Sequence, residues 1–310
     1  MKIYKPKFWD KKKGFFSLIL LPLTFLFEII IFFRRNFIRK INFDIHIICV
    51  GNIYVGGTGK TPLSILLAKE LSKRDKKLTL IRKYYKSHVD EYGLIKNNFK
   101  NVIIKNNRAD AIKEAVTKQF DTAILDDGFQ DYKIRKNINI LCFNKNQLIG
   151  NGHTFPSGPL RENLQGLKNT EIVMINGDKD EDFESKVFSI NKNIKIFYSY
   201  YKPVNINDFR GKKLVALAGI GNPENFFKII IENKLNLVKK IAFPDHYIFN
   251  KDEILKIIND TRKNNFELIT TEKDFYKIKN LNLPQIKYLK LDLVIHEKEK
   301  FLKKILDSYD

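Results

Sequence analysis

The chain has 310 residues, 44% of them hydrophobic, enough for two modest domains with cores of their own, which excludes a disordered chain. A formal charge of +21 points to an anionic partner, whether nucleic acid, acidic lipid or a phosphorylated substrate, although many of the lysines sit among Asn and Ile as AT-rich coding would place them. The two cysteines, Cys49 and Cys142, lie in separate apolar runs and exclude a disulfide framework; they read as buried thiols in a reducing compartment.

The first feature in chain order is an almost wholly apolar run from Phe15 to Phe33. Lys11, Lys12 and Lys13 precede it, and Arg34, Arg35, Arg39 and Lys40 follow it. No small-residue cleavage site follows, so it is not read as a signal peptide. It is long enough to span a bilayer, but basic clusters at both ends give no clear orientation. Lys13, Ser17, Thr24, Glu28 and Arg35 also fall on one helical stripe, at about 100° per residue. An apolar helix with one narrow polar stripe suits a helix lying in the membrane interface, its basic ends near anionic headgroups. Pro22 is expected to kink it. Residues 1–40 are therefore read as a membrane-interacting segment, monotopic in the first reading and single-span in the second, with a buried helix as the third.

A nucleotide-binding lobe is expected over 41–182. An apolar strand, Ile45 to Val50, runs into Gly51-Asn52-Ile53-Tyr54-Val55-Gly56-Gly57-Thr58-Gly59-Lys60-Thr61, and a helix-like run to Leu71 follows. Strand, glycine-rich loop, Gly-Lys-Thr and helix in that order is a P-loop. Gly56, Gly57, Thr58 and Gly59 let backbone N–H groups converge on phosphate, Lys60 reaches the terminal phosphates, and the Thr61 hydroxyl holds magnesium. Tyr54 stands where the strict pattern has glycine. Further on, a short strand at Lys77–Ile81 and a helix at Ala109–Gln119 precede Phe120-Asp121-Thr122-Ala123-Ile124-Leu125-Asp126-Asp127-Gly128. An apolar strand ending in Asp126 and Asp127 is the magnesium-side partner of a P-loop. Ile138–Phe143 is another buried strand, and the alternation predicts a parallel sheet. In the loop Gly158-Pro159-Leu160-Arg161-Glu162, a plain turn and a site placing Arg161 near phosphate and Glu162 near metal or substrate are equally open.

Residues 183–212 read as a linker and 213–310 as a smaller α/β lobe. Leu214–Ala218 is a strand, Asn222 an N-cap with Pro223 in the first helical position, and Gly219-Ile220-Gly221 a structural turn. Asp245 and His246 lie in a loop before a helix over 250–263. Lys273, at a strand-to-helix junction, could bind phosphate or pair with carboxylates.

Taken together these motifs resemble the tetraacyldisaccharide 4′-kinases of lipid A biosynthesis. The family P-loop, Gly-Asn, three variable residues, then Gly-Gly-x-Gly-Lys-Thr-Pro, is present as Gly51 to Pro62. Asp126-Asp127-Gly128-Phe129-Gln130, Gly158–Glu162, Ala218–Pro223, Pro244-Asp245-His246 and Thr271–Asp274 match later motifs in order. One departure is clear. Arg82-Lys83-Tyr84-Tyr85 replaces the family's Arg-Gly-Tyr-Gly, and Val89-Asp90-Glu91-Tyr92 replaces its Gly-Asp-Glu-Pro.

The resemblance implies transfer of the ATP γ-phosphate to the 4′-hydroxyl of tetraacyldisaccharide 1-phosphate, with Mg²⁺, at the cytoplasmic face of the bacterial inner membrane. It implies that Asp90 and His246 activate the hydroxyl and that Lys60 and Asp127 serve the transfer. Thr61, Asp126, Asp127 and Glu162 are then the residues around the metal. The expected partners are the lipid substrate and an anionic membrane surface, not nucleic acid, for which no motif is present. The alternative reading is a membrane-associated P-loop ATPase without a lipid acceptor.

Overall fold

A computed structural model describes residues 6–309 apart from 11–13, 87, 246, 280, 282, 284 and 285. The basic run Lys11–Lys13 and His246 thus lie outside the described residues. The strands are β1 (His46–Gly51), β2 (Leu78–Lys83), β3 (Val102–Lys105), β4 (Thr122–Asp126), β5 (Ile138–Asn144), β6 (Ile172–Asn176), β7 (Lys195–Pro203), β8 (Lys213–Ala218), β9 (Asn236–Ala242), β10 (Glu267–Thr271), β11 (Lys287–Leu289) and β12 (Leu291–Ile295). The helices are α1 (Phe15–Ile19), α2 (Leu21–Phe37), α3 (Lys60–Ser72), α4 (Val89–Asn98), α5 (Arg108–Thr117), α6 (Glu181–Ile190), α7 (Pro223–Glu232), α8 (Lys251–Lys263), α9 (Glu272–Lys279) and α10 (Lys298–Leu306).

The chain divides into two compact units. The larger joins Lys5–Tyr84, Phe99–Tyr200 and Val294–Asp310. Its sheet runs β12-β7-β6-β5-β1-β4-β2-β3, and β3 through β7 pair in parallel. Strands β1, β4 and β6 are buried along nearly their whole length. That is why they read as continuous apolar runs: helices cover both faces of such a sheet. Cys49 and Cys142 are free and buried in it. The second unit joins Tyr85–Asn98 to Tyr201–Leu293 around a parallel sheet in the order β11-β10-β8-β9. Asn222 caps α7, its Oδ1 accepting from the Asn225 N–H at 3.3 Å, with Pro223 in the first turn.

These boundaries correct the expected ones. Residues 183–212 are not a linker: they carry most of α6 and all of β7, which pairs with β6 from Lys195 opposite Ile172. The alternating Tyr, Ser and Lys of β7 hide it, because only part of that strand is buried. Residues 294–310 return to the larger unit, and 85–98 belong to the smaller.

The N-terminal apolar run is two helices rather than one kinked helix. It breaks at Leu20, and Pro22 sits in the first turn of α2, where a missing N–H costs nothing. No helix among the described residues is long and apolar enough to cross a membrane, so the single-span reading has no segment to rest on. The polar stripe turns inward. Ser17 Oγ donates to the Ser157 carbonyl at 2.8 Å, and Thr24 Oγ1 to Ser157 Oγ at 2.8 Å. The Thr154 hydroxyl donates to the Glu28 carboxylate. The apolar side faces out: Phe15 is 74%, Phe25 65% and Phe37 72% exposed.

Candidate active site

In the larger unit the site grows from the carboxyl ends of β1 and β4, where ligands of such sheets bind. After β1 the chain does not turn at once. Tyr54 is fully buried and forms a β-bridge to Leu160. The Arg161 N–H donates to the Ile53 carbonyl at 2.6 Å, and the Val55 N–H to Pro159 at 2.8 Å. Position 54 is therefore strand-like and needs no glycine. The turn comes later, at Gly56 (φ 126°) and Gly59 (φ 89°), backbone that side-chain-bearing residues rarely adopt. Asn52 holds the loop from inside, its Nδ2 donating to the Tyr54 carbonyl at 2.6 Å and to Thr58 Oγ1 at 3.0 Å. Gly59 then opens α3, putting Lys60 and Thr61 in its first turn.

Asp126 ends β4 opposite Val50 of β1 and Arg82 of β2. Its carboxylate is fully buried. It accepts from Thr61 Oγ1 at 3.0 Å, from Ser64 Oγ at 3.1 Å and from Arg82 Nη1 at 2.6 Å. Asp127, at φ 57°, turns its side chain the other way. Its Oδ1 lies 2.8 Å from Arg161 Nη1 and 3.6 Å from Lys60 Nζ. Arg108 Nη2 donates to its carbonyl at 2.5 Å. Burial alone would raise the Asp127 carboxyl; the charges of Lys60, Arg161, Arg82 and Arg108 outweigh it and hold the group well below the usual carboxylate range. Four cationic side chains thus surround Asp126 and Asp127, with Arg108 also 3.7 Å from Asp131, and the surplus positive charge suits a polyphosphate bound with a metal ion.

The smaller unit holds a second cluster. Asp90, in the first turn of α4, is buried and lies 3.4 Å from Lys273 Nζ and 3.3 Å from Lys277 Nζ on α9. Lys273 also reaches Glu91 at 3.4 Å and Asp245 at 3.0 Å. Burial opposes its charge, but Asp245, Glu91 and Asp90 together hold its ammonium above its ordinary value. Of the two open readings for Lys273, the structure gives the pairing with carboxylates. Asp245 directly precedes His246, so one lysine links Asp90 to the neighbour of the predicted histidine. The Gly219 N–H donates to Asp274 Oδ2 at 2.7 Å, so the Gly-x-Gly turn is structural.

The family model described as tetraacyldisaccharide-1-P 4′-kinase (LpxK) matches residues 16–310. A tetraacyldisaccharide 4′-kinase of Pelagibacter ubique is 40% identical over 99% of this chain and 98% of its own length. One from Aliarcobacter butzleri is 34% identical over 96% of this chain and 93% of its own. The chain belongs to the tetraacyldisaccharide 4′-kinase family. It is accordingly an ATP-dependent phosphotransferase of lipid A biosynthesis. A crystal structure of LpxK from Aquifex aeolicus in complex with ATP superposes with a TM-score of 0.72 at 24% identity, covering 95% of this chain and 99% of that one, and shows the shared fold.

The 4′-kinase chain brings Lys60, Thr61, Asp126 and Asp127 together, with Arg161 among them. The hydroxyl of Thr61 and the two carboxylates are hard oxygen donors of the kind Mg²⁺ takes alongside phosphate oxygens, so the residues present fit that ion. Glu162 is not part of this group. Its oxygens accept from Gln130 Nε2 at 2.7 Å and Tyr132 Oη at 3.0 Å, and burial raises its carboxyl above the ordinary value. Arg161 and Glu162 are neighbours in sequence that enter separate networks. Sequence reasoning missed Arg82, Arg108 and Ser64 as partners of the paired aspartates. A signal existed for Arg82: it is the first of two cations, Arg82 and Lys83, that close the run Leu78–Ile81.

Proposed function

We propose that in this 4′-kinase the P-loop network carries the phosphoryl and the Asp90 cluster serves the acceptor. The observation that bears most weight is the junction of Lys60, Thr61, Asp126, Asp127 and Arg161 at the ends of β1 and β4. Lys60 and the N–H groups of the 56–60 loop bind the β- and γ-phosphates. Arg161 sits beside Lys60 to take up charge that develops on the γ-phosphoryl oxygens. Thr61, Asp126 and Asp127 would hold magnesium, which when bound would neutralise phosphate charge. The bond from the 4′-oxygen to the γ-phosphorus forms as the bond from that phosphorus to the β–γ bridging oxygen breaks, and ADP leaves. His246 takes the hydroxyl proton. Asp90, held beside Lys273, Lys277 and the loop of Asp245, supports the imidazolium that results.

The exposed apolar side of α1 and α2 supports a membrane setting. Their outward phenylalanines support monotopic docking on the cytoplasmic leaflet, where a four-chain lipid acceptor resides and ATP is available. A transfer assay with γ-labelled ATP, Mg²⁺ and tetraacyldisaccharide 1-phosphate in detergent tests the reading. Label enters the lipid with the native chain and not with Lys60→Ala. Release of free phosphate without labelled lipid overturns it.

A further inference from the structure

A cavity of about 500 Å³ lies in the larger unit, below the inward stripe of α2. It is lined by Arg35, Lys40, Arg135 and Lys168 and by the carboxylates of Glu162 and Glu171. None of the P-loop residues, and neither Asp126 nor Asp127, lines it. Its size is that of a small-ligand site.

Two polar atoms in it stand unmatched. Arg35 lies on the stripe of Ser17, Thr24 and Glu28, whose other members are hydrogen-bonded to the Thr154–Ser157 loop. Its Nη1 is buried and has no hydrogen-bond partner among the described residues. Asn139 Oδ1 is likewise buried without a partner, while its Nδ2 donates to the Asn169 carbonyl at 2.9 Å. An unmatched buried donor costs free energy that a bound acceptor recovers. The charge of Arg35 favours the ionised form of Glu162, but neither carboxylate hydrogen-bonds its Nη1. Glu162 accepts from Gln130 and Tyr132, and Glu171 accepts from the Asn139 N–H at 2.7 Å. Arg135, Lys40 and Lys168 are exposed at the rim and add positive charge. The apolar side of α2 continues beside it to Phe33 and Phe37, 55% and 72% exposed.

An unmatched guanidinium donor, a nearby unmatched acceptor, a cationic rim and an adjoining apolar surface fit one ligand chemistry. We propose that this cavity binds the phosphate of a membrane lipid headgroup that also carries a hydroxyl, with Arg35 and Lys168 on the phosphate and Asn139 on the hydroxyl. The proposal rests on the membrane-docking reading of α1 and α2 for access, but the binding chemistry can be read without a membrane. The phosphate can belong to a glycerol-headed phospholipid or to the acceptor itself.

The test uses the full chain with its P-loop filled by Mg²⁺ and a non-hydrolysable ATP analogue. Monomeric dihexanoyl phosphatidylglycerol is titrated by calorimetry into native protein, Arg35→Gln, Lys168→Gln and a charge-matched control, Arg39→Gln, exposed and outside the cavity lining. Lys168 is exposed, so its variant keeps the fold. Each cavity variant is expected to raise Kd about tenfold, the loss of one charge-assisted hydrogen bond, and the control to stay within about twofold. With phosphatidylcholine vesicles all four proteins bind alike; adding phosphatidylglycerol separates the cavity variants from the native chain. If the short-chain lipid does not bind but both cavity variants raise the KM for tetraacyldisaccharide 1-phosphate about tenfold, the phosphate is the acceptor's own. If no constant separates the cavity variants from the control, the proposal is overturned. Failure of the native chain to bind any vesicle would instead remove the docking reading and leave the calorimetry standing.

Discussion

Arg82→Met isolates the charge balance around Asp126. Arg82 is 2% and Asp126 0% exposed, with Nη1 2.6 Å from Oδ2. The substitution leaves a buried carboxylate with the two hydroxyl donors Thr61 and Ser64 and without its 2.6 Å guanidinium partner. Removing one member of a buried pair costs about 3–5 kcal/mol, because the remaining charge is uncompensated. With a urea slope of about 3 kcal/mol per molar, the unfolding midpoint should fall by about 1–1.7 M. Far-UV circular dichroism against urea measures it. Adding Asp126→Asn to Arg82→Met should recover most of the loss, since neither charge is then left alone. Saturating Mg²⁺ with an ATP analogue should also narrow the gap between native and variant proteins, as a cation returns to Asp126. A shift below about 0.3 M for Arg82→Met without ligand would refute the argument that this pair is held by buried charge.

His46 gives a pH signature. Burial, aided by the charge of Lys76 and opposed by Asp121, lowers its imidazole to about 4, whereas an unfolded histidine titrates near pH ~6.5. The unfolded chain therefore binds more protons between those values, so stability present above about pH 6.5 is lost as pH falls towards 4. His46→Phe, which keeps the stack on Tyr309, should flatten the urea midpoint over that window; an unchanged slope rejects the assignment. Lys60→Ala should lower kcat by about 10²–10³-fold, and His246→Ala by about 10²-fold with the KM for ATP unchanged. Equal kcat in His246→Ala and the native chain takes that residue out of the chemistry. Glu162→Gln should leave the Mg²⁺ concentration for half-maximal activity unchanged, because its partners are Gln130 and Tyr132; a rise in that concentration would return Glu162 to the metal. Phe25→Ser and Phe33→Ser should weaken vesicle binding about tenfold each without lowering the melting temperature, whereas Thr24→Val should do the reverse.

Much of this was legible in the chain. The P-loop, Asp126 and Asp127 announce themselves because buried parallel strands are continuous apolar runs that stop where polar chemistry begins. Strand β7 was hidden because its tyrosines and lysines are half-buried or exposed and one of its buried positions is the polar Ser199. Helix α4 was hidden because it occupies the stretch where the family motif is altered, although the resemblance still points to Asp90 there. The pairing of Arg82 with Asp126 needs the register of β2 against β4, which no local pattern reports. The direction of the α1–α2 stripe needed knowledge of what it meets. Hydroxyls at Ser17 and Thr24 suit water and suit Ser157 equally well, and only the fold decides between them.

On the proposed docking of α1 and α2 at a membrane, their inward grip makes anchorage and catalysis separable parts. The helices are held to the body by Ser17, Thr24 and Glu28, while the phenylalanines and leucines of the opposite side make no claim on the core. Rewriting only those outer positions with glutamine, lysine and glutamate would yield a kinase that stays in solution without detergent, its phosphate loop untouched. Such a protein, offered a short-chain acceptor in plain buffer, would let turnover be measured free of surface dilution. The same outer positions could then be exchanged for another membrane address, sending an unchanged catalyst to a surface of choice.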